Sequence, residues 1–81
     1  MIALKLEFKM LISQGSIMEV FSRLIKMLGM NFPNEGFYLK WRFSSLNDRN
    51  DKGLLSNDDF FKIKNNLVLS LLNFIDSLKL S

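Results

Sequence analysis

No cysteine and no histidine occur in the 81 residues. The first absence excludes a disulfide framework and any thiolate metal site. The second removes the usual general base, the commonest nitrogen ligand for metals and the side chain that titrates near neutrality. Proline is used once, at Pro33, and glycine four times, so few positions interrupt a regular backbone. No run approaches the roughly 20 apolar residues that a membrane span needs. The N-terminal stretch Met1–Lys9 does not read as a secretory leader, because Lys5, Glu7 and Lys9 interrupt its apolar residues. The expectation is a soluble, cytoplasmic chain, either whole or one domain of a longer one.

What is abundant is apolar. Hydrophobic residues make up 48% of the chain and include eight Phe, enough for one core with a surplus for a partner surface. Charged residues, at 23%, argue against disorder. The net charge of +3 is spread along the chain rather than gathered in a block, too weak by itself to imply nucleic acid.

The last third is the spine. Gly53 suits the left-handed stop of a preceding helix, and Ser56 is placed as an N-cap. Asp58 and Asp59 follow in the first turn, where the helix dipole favours carboxylates. Phe60, Ile63, Leu67, Leu71, Phe74 and Leu78 recur at spacings of three and four, flanked by Phe61, Val68, Leu72 and Ile75. A helix from 57 to 80 would be about 36 Å long. Ile17, Val20, Phe21, Leu24, Ile25 and Leu28 trace a second helix without a miss, from Ser16 as N-cap to Gly29.

Two segments carry both periods. Ile2, Leu4, Leu6 and Phe8 alternate as in a strand, while Leu4, Phe8, Leu11 and Ile12 fit a helix face. Helix is preferred there, because Met10-Leu11-Ile12 breaks the alternation and no hairpin partner lies nearby. Phe37, Leu39, Trp41 and Phe43 alternate, yet Leu39, Phe43 and Leu46 space as a helix. Residues 30–36 read as a loop, with Pro33 and Gly36 as breakers. The expected fold is all-α, a small antiparallel bundle near residues 3–14, 16–29, 37–50 and 56–80, with a long C-terminal helix. Residues 1–81 form a single domain.

The order of these signals resembles the bacterial effector-associated domains, specifically the eleventh type. The matching pieces are Leu11-Ile12-Ser13-Gln14-Gly15 and the stripe Phe21, Leu24, Leu28. Leu39-Lys40-Trp41-Arg42-Phe43, Leu46 and Gly53-Leu54-Leu55-Ser56 follow, then Asn66 and Leu71-Leu72-Asn73-Phe74-Ile75-Asp76. The resemblance covers nearly the whole chain and rests on order and spacing, since each piece is a cap or a core stripe. It implies a non-enzymatic helical adaptor of bacterial conflict systems, alone or fused to effectors, that works by like-with-like association as death-fold domains do. The implied partner is a protein carrying a related helical domain, with no cofactor.

Three stretches carry candidate chemistry. Asp48, Asn50, Gly53 and Asp59 fall at the first, third, sixth and twelfth places of an EF-hand loop. Lys52 stands at the fifth, where an oxygen ligand belongs, and Asp59 is one methylene shorter than the usual Glu. The plain reading is a polar inter-helix turn; the alternative is a degenerate calcium site. Lys40-Trp41-Arg42-Phe43 mixes cations and aromatics as single-strand binders do. Its plain reading puts Trp41 and Phe43 partly in the core, and makes nucleic-acid binding the lesser alternative. Arg42 matches the family's arginine, with a structural ion pair to Glu19 or Asp76 as its plain role. The methionines Met10, Met18, Met27 and Met30 read as core filler before contact surface.

Charge supplies the interface expectation. Residues 1–42 carry a net +3 and residues 43–61 a net −2. The basic side of the second helix (Arg23, Lys26), with Arg42, and the acidic turn (Asp48, Asp51, Asp58) are of opposite sign. Two different complementary patches favour a head-to-tail contact over a two-fold one. The plain reading is ordinary solvated charge, with pairings worth about 0–1 kcal/mol each.

Overall fold

A computed structural model describes residues 2–78, with four helices and no strand among them. Helix α1 spans Ile2–Ser13, α2 Ile17–Leu28, α3 Asn34–Asp51 and α4 Asn57–Ser77. A single 3-10 turn, Gly29–Asn31, links α2 to α3. The all-α bundle expected from the sequence is the fold observed. Both ambiguous segments are helical. In α1, Phe8 and Ile12 are buried, Leu4 is partly so, and Leu6 faces solvent, which is helical and not alternating burial. In α3 the buried residues are Gly36, Leu39, Phe43 and Leu46, again at spacings of three and four.

Two of the turns are closed by glycine in the left-handed region. Gly15 has φ 83°, with the Ser16 amide donating to Leu11 and the Gly15 amide to Ile12. Gly53 repeats the arrangement at φ 71°, with Leu54 donating to Arg49 and Gly53 to Asn50. These paired bonds satisfy carbonyls that a bare helix end leaves orphaned. At the other end of the second turn, the Ser56 hydroxyl accepts from the Asp59 amide at 3.2 Å and starts α4 as expected. Ser16 differs: its side chain makes no cap bond to α2.

The segment 30–36 is not one loop. Pro33 is the N-cap of α3, and its carbonyl accepts from the amides of Gly36 and Phe37. A cap position asks for no amide donor of its own, so proline starts this helix rather than preventing it. Gly36 lies inside the first turn of α3 and is buried. A Cβ there would lie 2.7 Å from both Phe32 Cε2 and Phe74 Cζ, and closer still to Phe32 Cζ. The glycine is therefore a packing site for two aromatic rings, not a breaker.

α3 and α4 form the most extensive helix pair; α1 packs on α2 and α4, and α2 also meets α3. Their shared core joins Phe8 and Ile12 of α1 to the buried stripes of α2, α3 and α4, with no buried polar residue among the described residues. Phe21 and Phe43 meet at 5.8 Å between centroids, and Phe32 and Phe74 at 6.0 Å edge to face. α4 ends at Ser77, because Leu78 takes an extended backbone with ψ 140° and tucks its side chain into the core. The expected continuation through Lys79 and Leu80 lies outside the described residues.

Candidate interaction surface

The polar groups outside the core sort into three places. The first is the α1–α2–α4 surface. Arg23 of α2 donates to Glu7 of α1 at 2.7 Å and lies 3.5 Å from Glu19 one turn earlier. Lys9 meets Asp76 at 3.0 Å, and Lys5 donates to the Asp76 carbonyl at 2.9 Å. These pairs tie α1 to its neighbours across its exposed side. Arg23 is thus held by two carboxylates of its own domain. Lys26 is exposed one turn on and has no ion pair among the described residues.

The second place is the α3–α4 turn. Asp48 and Asp51 belong to the last turn of α3, and Asp58 to the first turn of α4. All three are exposed. Asp48 is paired with Lys52 at 2.9 Å; Asp51 and Asp58 have no ion pair among the described residues. This geometry answers the EF-hand reading. Residues 48–51 are helical, so the first and third ligand places do not lie on a loop that wraps a cation. The lysine at the fifth place spends its charge on the aspartate at the first. Among the described residues no ion pair joins the acidic turn to Arg23 or Lys26, and the two expected patches occupy different helices.

The third place is the outward flank of α3, and its character departs from expectation. Trp41 is not partly in the core but 64% exposed, while Phe43, two residues on, is buried. Trp41 stacks on Tyr38 with ring centroids 6.2 Å apart and planes at 27°. Arg42, half-buried, does not pair with Glu19 or Asp76, which are taken by Arg23 and Lys9. Its guanidinium lies 5.7 Å from the Tyr38 ring centroid, a cation–π contact. Beside this cluster runs a cleft of about 260 Å³ lined by Trp41, Arg42, Ser45, Arg49, Ile63 and Leu67. Neither arginine has a carboxylate partner among the described residues.

The apolar surplus is real and takes in residues read first as core. Met10, Met18, Met27 and Met30 are exposed rather than core filler, Met30 entirely. Phe61, read as part of the flanking core row of α4, is 57% exposed. Leu54, in the turn before α4, is 68% exposed. Sequence reasoning singled out Arg42 but missed Tyr38 and Arg49. Their signal was present in the spacing, with Tyr38 four residues before Arg42 and Arg49 seven after it, all on one flank of the Leu39, Phe43 and Leu46 stripe.

The comparisons with known proteins rest on the whole domain. No curated protein and no solved structure matches the chain. The family described as effector-associated domain 11 matches residues 3–79. That match takes in all four helices, both glycine-closed turns and the capped start of α4, and it makes the chain a member of the effector-associated domain 11 family.

Proposed function

We propose that this domain is a non-enzymatic adaptor that associates with like helical domains and so recruits an effector in a bacterial defence or signalling system. The observation that carries the reading is the solvent-facing aromatic and aliphatic set, Trp41, Tyr38, Leu54 and Phe61, on a domain whose core is already complete. Large exposed apolar side chains beside charges that have no ion pair among the described residues are the composition of contact surfaces. Cations (Lys26, Arg42) and carboxylates (Asp51, Asp58) that have no ion pair among the described residues, on different helix faces, support association between different patches. Arg23, held by Glu7 and Glu19, contributes to the α1–α2 contact first.

Sedimentation equilibrium of the purified domain tests the reading, over a wide concentration range at low and high salt. Mass should rise with concentration and the rise should shrink with salt, because exposed charge pairs are screened. A domain that stays monomeric at high concentration and low salt, and binds no other effector-associated domain, refutes it.

A further inference from the structure

The geometry points to a knob-and-cleft contact between successive copies of this chain: the Asp58–Phe61 face of one α4 enters the Trp41–Arg49 cleft of the next copy. This rests on the like-with-like association proposed above and names its two halves. The cleft side offers an exposed indole, two arginines without carboxylate partners, and an apolar floor of Ile63 and Leu67. A ligand that fits it carries an aromatic or aliphatic anchor with a carboxylate about one helical turn away. A different face of α4 in the same chain supplies that combination. Phe61 is more than half exposed on α4, and Asp58, exposed and with no ion pair among the described residues, stands three residues before it on one helix face. Leu54 and Asp51 extend the same end of the domain with a second apolar and a second acidic group. Ile63 and Phe61 lie on different faces of α4, so no copy can fill its own cleft with its own knob.

Charge complementarity chooses this occupant over others. A nucleic-acid strand would match the arginines and the stacked Tyr38–Trp41 pair, but it would leave the apolar floor without a partner. It also leaves Phe61 and Leu54 unexplained. Knob and cleft are different patches, so the contact is heterologous and repeats from copy to copy, as an open chain or as a ring where the rotation closes.

Two double variants test this with the intact chain. Trp41→Ala with Arg49→Glu disables the cleft; Asp58→Asn with Phe61→Ser disables the knob. All four residues are exposed, and far-UV circular dichroism should match wild type. Each variant alone should lose association at least about tenfold, the effect of removing an aromatic anchor. Mixed in equal amounts, they should form a one-to-one dimer and stop there, since each retains one working half. Association of either variant at wild-type strength, or an equimolar mixture that stays monomeric, overturns the assignment while leaving self-association through another surface intact. A monomeric wild type removes this contact, and one that also binds no other effector-associated domain removes the proposed function with it. Binding of a single-stranded oligonucleotide that Trp41→Ala abolishes, with mass unchanged across concentration, assigns the cleft to nucleic acid and overturns it too.

Discussion

Replacing Gly36 by alanine should destabilise this domain, although alanine is the better helix former. Helix propensity alone favours Ala over Gly by about 1 kcal/mol in a helix interior, and by less in a first turn. Against this stands the space the methyl group would enter. The new Cβ would lie 2.7 Å from Phe32 Cε2 and from Phe74 Cζ, with Phe32 Cζ nearer still. Carbon atoms settle at about 3.5–4.0 Å, so both rings must retreat by about 1 Å. Neither ring is free to do so. Phe32 and Phe74 are buried and pack edge to face, and Phe32 also meets Phe37 at 4.7 Å. The Phe32 amide is tied to Gly29, and Pro33 follows it. Overpacking of this kind costs about 1–3 kcal/mol. The net expectation is a loss of about 1–2 kcal/mol, or roughly 5–15 °C in Tm for a domain of this size. Urea and thermal unfolding followed by circular dichroism measure it. Phe32→Leu in the same chain should shrink the Gly36→Ala penalty, because the two sites share one volume. A variant as stable as wild type, or more stable, would show that propensity and not ring packing governs the position.

Other substitutions separate features that look alike in the sequence. Ser56→Ala should cost about 1 kcal/mol in urea unfolding, since its hydroxyl accepts the Asp59 amide. Ser16→Ala should cost clearly less, having no such bond to lose; equal costs would sink the distinction. Phe43→Ala should lose about 3–5 kcal/mol, whereas Trp41→Ala should stay within roughly 0.5 kcal/mol of wild type in the monomer. Lys52→Asp restores an oxygen ligand at the fifth EF-hand place, yet calorimetry should detect no tight calcium binding, because residues 48–51 remain helical. Sub-millimolar binding by that variant would contradict the helical assignment of the turn.

Where the sequence spoke clearly, the interactions were local. The α2 stripe, the stops at Gly15 and Gly53 and the Ser56 cap each depend on residues within a few positions of one another. Periodicity, left-handed glycine and the first-turn cap are legible without neighbours. The same holds for the order of these signals, which carried the family resemblance across nearly the whole chain. Tertiary structure alone decided the rest. A helix with an apolar face broader than one contact can cover leaves open which edge stays wet, and packing left Phe61 and Trp41 outside while burying Phe74 and Phe43. It turned Gly36 from an apparent breaker into the seat of two rings brought from α4 and from the turn before α3. It gave Arg23 to Glu7, sixteen residues away, and left Arg42 to Tyr38. Those outcomes depend on distances between helices, and a pattern along one helix does not contain them.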